Sequence, residues 1–237
     1  MITVALPNYC NPFVWFAMES LCNQKTNHEW ELIVYEDSDE PLGQEFYESY
    51  LPRLSCKSFG YLYSEPRVAL NKKWLKMAEI SHPSSLGIIL QASDCYSEPY
   101  RIETAHHWME KGVDWVHSPS VYFYNVNTRQ VMLFQLGEGT GSNMAISKKC
   151  IQQLPQNEDK WSSVDYWLRQ NMPSDIKMQL DLSDNWKLGC DTDGHNRISI
   201  ARRKYYNSPR PPFHKTSATI QNILPIDIIK KLDECES

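Results

Sequence analysis

The sequence predicts an α/β fold: a mostly parallel central sheet with helices on both faces, followed by a smaller antiparallel portion. Three observations predict it. Short apolar runs alternate with segments of helical periodicity through the first half. A cluster of polar residues follows three of those runs, and the second half changes to hairpin-like strands.

Ile2-Thr-Val-Ala-Leu6 is a short apolar run ending at Pro7, the pattern of a parallel strand buried on both faces. Phe13, Phe16, Ala17 and Leu21 recur at helical spacing and predict a helix ending before Asn27. Glu31-Leu-Ile-Val-Tyr35 is a second strand, closed by Glu36-Asp-Ser-Asp-Glu40. A helix is predicted from Gly43 to Tyr50, stopped by Pro52. Leu70, Trp74, Met77 and Ala78 mark another helix, Leu86–Leu90 a further buried strand, and Ile102, Ala105 and Met109 a helix after Pro99. In a parallel sheet, ligands bind at the carboxyl ends of the strands. Asn8–Asn11, Glu36–Ser38 and Ser93–Asp94 are therefore expected to converge on one crevice.

Val121–Tyr124 and Val131–Phe134, separated by Asn125–Arg129, read as a hairpin. Met144–Ile146 is a further short strand, and a helix is predicted to start near Ser162. Arg202 to Lys215 is basic and Pro-rich, and Pro225–Leu232 is an amphipathic helix with Pro at its start. No segment reads as a linker, so residues 1–237 are expected to form one domain.

The 237 residues are 41% hydrophobic, enough for one sizeable core. Nine Gly, 14 Pro and no repeat argue against a fibrous or disordered chain. A net charge of −5 excludes a generally basic nucleic-acid binder, though not a local basic patch. The seven Cys are scattered with no Cys-x-x-Cys pair, as for reduced thiols and not a disulfide frame or zinc site. The longest apolar run, Leu86–Leu90, is too short to span a bilayer, and no charged-then-apolar leader opens the chain. A soluble cytoplasmic protein without a transmembrane segment is expected.

The run Ile2-Thr-Val-Ala-Leu-Pro-Asn-Tyr-Cys-Asn-Pro12 resembles the opening of glycosyltransferase family 2, usually an apolar strand and then Pro-Thr-Tyr-Asn. Glu19–Gln24 and Trp30–Ser38 come next at the usual interval, the latter similar to a strand that commonly ends in Asp-Asp-Gly-Ser. Arg67-Val-Ala-Leu-Asn71 is similar to the family's Arg/Asn helix start, and Leu90–Ile102 resembles the Asp-x-Asp segment with its following helix. Asn143–Ser147, then Val164-Asp165 heading a helix, is similar to the acceptor-side half. The resemblance spans about residues 1–200 and implies the type-A nucleotide-diphospho-sugar transferase (GT-A) fold. Residues 1–110 would then be the nucleotide-sugar half, 111–200 the acceptor-side half, and 201–237 a basic segment with a C-terminal helix. Three positions depart from the pattern. Gln91-Ala-Ser93 stands where the family has Asp-x-Asp, Cys10 replaces an Asn, and Val164-Asp165 replaces Glu-Asp.

The resemblance implies a transfer of sugar from a nucleotide-diphosphate donor, uridine-linked, to an acceptor hydroxyl, with inversion and with Mn²⁺ or Mg²⁺ assistance. Pro7 and Tyr9 would line the base pocket, and Asp37 would accept the imide N–H of uracil. The alternative for Asp37 is a solvated acidic turn. Ser93 and Asp94 would meet the donor, and Asp94 would hold the cation that neutralises the leaving diphosphate; otherwise Asp94 caps a turn before Pro99. Asp165 would be the general base toward the acceptor, although Ser162-x-x-Asp165 also reads as a capping box. His195 would make up for the carboxylates missing at 91 and 93, or else is a turn histidine beside Asp-Gly. Asn71 and Lys72 would reach the diphosphate at a helix start, or simply cap that helix. His106 and His107 read as ordinary surface or core residues. Arg202-Arg-Lys204, Tyr205-Tyr206, Arg210 and Lys215 would fold over the diphosphate, meet an acidic acceptor, touch nucleic acid or a membrane surface, or form a solvated tail. The acceptor (saccharide, lipid-linked glycan, protein or modified nucleic-acid base) is not legible. Two further classes compete. A non-catalytic sugar- or nucleotide-binding module is supported by Gln91 and Ser93. A nucleotidyltransferase would need a Gly-rich loop and a Lys after the first strand, and Asn8–Pro12 has neither.

Overall fold

The computed structural model describes residues 1–117, 120–125, 129–135, 144–161, 164–171, 198–201 and 213–234. His195, Ser162, Asn143 and the basic stretch 202–212 lie outside them. In chain order the first part contains β1 (Ile2–Asn8), α1 (Val14–Cys22), β2 (Trp30–Glu36), α2 (Gln44–Glu48), β3 (Ser58–Tyr63), α3 (Leu70–Ile80), β4 (Gly87–Leu90), β5 (Cys95–Tyr96) and α4 (Arg101–Glu110). Next come β6 (Trp115–His117), β7 (Ser120–Asn125), β8 (Gln130–Gln135), β9 (Met144–Ser147), α5 (Lys148–Ile151) and α6 (Val164–Asn171). The last elements are β10 (Ile198–Ala201), β11 (Phe213–Lys215), α7 (Ile220–Ile223) and α8 (Ile226–Glu234).

The first sheet has the order β3-β2-β1-β4-β9-β6. β1 pairs in parallel with β2 and with β4, and β2 in parallel with β3, while β9 is antiparallel to both β4 and β6. Alternation along the strands sorts the apolar side chains between two faces. Ile2, Val4, Leu6, Trp30, Leu32 and Val34 point to one core, shared with α1 and α4. Ala5, Ile33, Ile88 and Leu90 point to the other, shared with α3, α5 and α6. Helices on both faces of a mostly parallel sheet are what the alternation predicts.

The second sheet has the order β11-β8-β7-β10-β5. β7 and β8 form the predicted hairpin, from Ser120 opposite Gln135 to Asn125 opposite Gln130. A third core joins it to the C-terminal helices: Phe16, Tyr96 and Tyr124 pack with Ile220, Leu224, Ile228 and Leu232. The Lys231 ammonium lies 3.2 Å from Glu19 on α1, and Arg53 pairs with the same carboxylate. Burial pushes the Glu19 pKa up, but the two cations outweigh it and hold it below the usual range.

Three differences from the sequence reading have physical causes. β3 reads poorly because its alternate residues are only partly buried and Gly60 interrupts it, as at a sheet edge. β9 and β6 complete the first sheet, not the second, because Met144–Ser147 is buried throughout. The second-half strands therefore cross the boundary placed at residue 110, and β5 crosses in the other direction. The helix predicted over 43–50 is shorter, Gln44–Glu48, and Pro52 sits in a 3₁₀ turn, Leu51–Arg53. Gly87 is required where α4 crosses β4: a Cβ there would lie 2.3 Å from the Met109 sulfur and 2.7 Å from the Ile146 carbonyl oxygen.

Candidate functional site

The carboxyl ends of β1, β2 and β4 come together as expected, and side chains knit them. Asn8 donates to Glu36 Oε1 at 3.1 Å, and Asn11 donates to Ser93 Oγ at 3.1 Å. The third link joins Cys10 Sγ and Ser38 Oγ, 2.8 Å apart. Ser38 spends its own hydroxyl proton on the Glu40 carbonyl at 2.8 Å, so the thiol is the donor. Cys10 has φ +46°, a conformation in which Asn is the least costly non-Gly residue. This gives a conformational reason for the asparagine that the resembling sequences place there.

Beneath the crevice, Glu36 is fully buried and organises the loop after β2. Its Oε1 accepts from Asn8, from the Leu42 N–H at 3.1 Å and from Tyr47 at 3.3 Å; its Oε2 accepts from the Gly43 N–H at 3.2 Å and from Tyr61 at 2.8 Å. Burial first, and then the adjacent carboxylate, raises the pKa of both phenols, so they remain donors.

Asp37 does not stand open to a base. It is 1% exposed, accepts the Val68 N–H on Oδ2 at 2.7 Å, and pairs through Oδ1 with the buried Lys73 ammonium of α3. Burial lowers the Lys73 pKa, an effect the Asp37 pairing partly opposes. Both carboxylate oxygens are engaged inside the protein, which corrects the expectation that Asp37 meets uracil and equally the alternative of a solvated turn.

Asn71 is engaged inside the protein in the same way. Asn71 is fully buried and clasps the segment between α5 and α6. Its amide donates to the Pro155 carbonyl at 2.6 Å and the Glu158 carbonyl at 2.9 Å, and its oxygen accepts the Lys160 N–H at 2.9 Å. Lys72 pairs with Asp159 at 2.5 Å. Asn71 is thus spent on gripping a loop, whereas Lys72, 44% exposed in a surface pair, keeps N–H donors to spare.

Pro7 is half-buried at the end of β1, and Tyr9, 37% exposed, sits just beyond it at the mouth of the crevice. The Arg67 guanidinium lies 3.8 Å from the Tyr9 ring centroid and 5.2 Å from that of Trp161. Arg67 opens the Arg67–Asn71 motif, but its stacking was not legible from sequence. Trp161 was missed altogether. The one signal for it is a large aromatic residue in an otherwise polar segment.

At the Asp-x-Asp position, Gln91 turns inward and is 1% exposed. Its amide donates to the carbonyls of Cys95 at 2.7 Å and Ala92 at 3.0 Å; its oxygen accepts from Ser97 at 2.5 Å and Arg101 at 2.8 Å. All four hydrogen-bonding positions are used. Arg101 also donates to the carbonyls of Leu90 at 3.0 Å and Met144 at 3.2 Å, which locks the ends of β4 and β9 together. Ser93 and Asp94 are half-buried; Ser93 accepts from Asn11, and Asp94 accepts the Cys95 S–H at 3.4 Å. The described donor set is thus one carboxylate, with a half-buried guanidinium behind the neighbouring position. Among the described residues no three His, Cys, Asp or Glu are grouped to hold a metal ion. These residues do not fit a divalent-cation site by themselves.

Asp165 lies in the first turn of α6, anchored by the buried Val164 and Leu168. It follows Trp161 by four residues, a reach of at most about 14 Å, so the stack on Arg67 brings the start of α6 to the side of the crevice. His106 packs its ring against His28 at 3.6 Å, on α4 and away from these residues.

Neither a protein-family model nor a curated protein matches this sequence. Solved structures do resemble it. S. aureus TarS is 15% identical with a TM-score of 0.50, over 98% of this chain and 38% of that one. Residues 1–349 of TarS in complex with UDP-GlcNAc are 14% identical, TM-score 0.51, over 98% of this chain and 65% of that one. The mannosyltransferase PcManGT from Pyrobaculum calidifontis, in complex with GDP-Man and Mn²⁺, is 12% identical, TM-score 0.54, over 87% and 58%. The chain therefore spans between 38% and 65% of the lengths of these structures. The fold is GT-A-like. No helix among the described residues is long and apolar enough to cross a membrane.

Proposed function

We propose that this chain is a glycosyltransferase that moves a sugar from a nucleotide-diphosphate donor, uridine-linked, to an acceptor hydroxyl with inversion. One observation carries the reading: in a GT-A-like fold, three polar strand ends meet at the carboxyl edge of the parallel sheet beside an exposed tyrosine. Tyr9 stacks on the base, Pro7 borders it, and Ser93 and Asp94 face the diphosphate. Asp165 takes the proton of the acceptor hydroxyl; its oxygen attacks the anomeric carbon, and the bond to the diphosphate breaks. The chain's own residues carry each of these roles.

The reading is tested by thermal shift with UDP, UDP-linked sugars and GDP. Ligand at about 100 times its dissociation constant adds about 2.7 kcal/mol to stability, a clear rise in melting temperature. No shift with any nucleoside diphosphate would refute the assignment.

The inward lock of Gln91 favours one other reading, a binding module of the same fold that holds the donor without turning it over. Binding of UDP-linked sugar with no release of UDP over hours would select it.

The lock also yields a prediction. Restoring the missing carboxylate as Gln91→Asp is expected to leave the Mn²⁺ dependence of UDP binding unchanged, because the new charge meets the adjacent Arg101 guanidinium. A Mn²⁺ titration of UDP binding checks this. A variant whose binding becomes Mn²⁺-dependent would show that Arg101 gives up its partners to a cation.

A further inference from the structure

Trp161 is 48% exposed in a polar segment, yet Asn71 fastens that segment. The fully buried Asn71 makes three hydrogen bonds to it through its side chain, and the Asn71 N–H adds a fourth to the Lys160 carbonyl at 3.3 Å. The same short stretch of chain carries Arg67, four residues earlier. One structural element therefore sets both the guanidinium and the indole.

Arg67 lies between two aromatic faces, nearer to Tyr9 at 3.8 Å than to Trp161 at 5.2 Å. A nucleobase that stacks on the face of Tyr9 that Arg67 now covers displaces the guanidinium. The guanidinium then needs another seat that keeps it in reach of the base, and a π face on its far side is such a seat. We propose that Trp161 is the positioning residue for Arg67 in the donor complex: it holds the guanidinium as the cap of a base stacked on Tyr9. The layers run Tyr9, base, Arg67, Trp161. This rests on the nucleotide-sugar reading of the crevice and adds a residue from the acceptor side of the chain to donor recognition.

The test is a double-mutant cycle read by calorimetric UDP binding, with melting temperature as a control. Trp161→Ala should weaken binding by about two- to fivefold, the scale of one cation–π contact, with the melting temperature little changed because the indole is half-exposed. Trp161→Phe should restore most of the affinity. In an Arg67→Ala background, Trp161→Ala should add nothing further, since Trp161 acts through the guanidinium. Additive losses, or Trp161→Ala binding as tightly as the parent, would overturn the inference and leave the nucleotide reading standing. A parent protein that binds neither UDP nor GDP would overturn both.

Discussion

Asp37→Asn should destabilise the fold by about 3–5 kcal/mol, because it strips the partner from a buried ammonium. Lys73 and Asp37 are 4% and 1% exposed, so water compensates neither. The loss should depend on pH in a defined direction. Burial already lowers the Lys73 pKa below its ordinary value, and the Asp37 pairing partly opposes that. Without the carboxylate the folded-state pKa falls further. Between that value and the ordinary 10.5, the unfolded chain binds more protons than the folded one, so the stability of the variant should rise with pH. Urea unfolding at about pH 7 and about pH 9.5 brackets this range. Adding Lys73→Met should recover much of the loss and flatten the pH dependence, since no unpaired charge remains. If Asp37→Asn unfolded at the parent's urea concentration and lost only nucleotide affinity, the base-binding role expected from sequence would stand and the structural one would fall.

This contrast shows which part of the site could be read from sequence. The crevice was legible because topology dictates it: strands buried on both faces leave continuous apolar runs, and the polar residues after each run collect at one sheet edge. Cys10 meets Ser38 and Asn11 meets Ser93 there for that reason. The partners of individual side chains were not legible. Lys73 lies 36 positions after Asp37, and its charge suggests the surface although it falls between Leu70 and Met77 on the apolar side of its helix. Gln91 reads as a decayed metal ligand, and only the geometry of Arg101 shows it as a fully satisfied junction between β4 and β9. Asn71 reads equally well as a cap or a phosphate contact, and the loop clasp found in the structure uses the same amide. β3 was lost for a different reason: an edge strand buries too little to leave a pattern. The same limit hid Trp161, which belongs to no periodic element.

Asp165→Asn should lower turnover by about 10²- to 10⁴-fold, the usual cost of removing a general base, while leaving UDP binding at the parental value. The placement supports this division of labour. Val164 and Leu168 seat α6 against α3 and α5, and Trp161, just upstream, touches Arg67 at the rim of the crevice. Asp165 therefore stands on an element fixed beside Arg67 but outside the Cys10–Ser38 and Asn11–Ser93 links. The substitution keeps the size of the side chain. Its loss of negative charge in the first turn of α6 should cost only about 0.3–1 kcal/mol of stability. Release of UDP from a UDP-linked sugar, with water or an added sugar hydroxyl as acceptor, measures turnover; calorimetry with UDP measures binding on the same preparations. A loss in both together would place Asp165 in donor recognition. Turnover equal to the parent's would leave it as an acidic residue that suits the start of a helix, and the proton would have to leave the acceptor by another route.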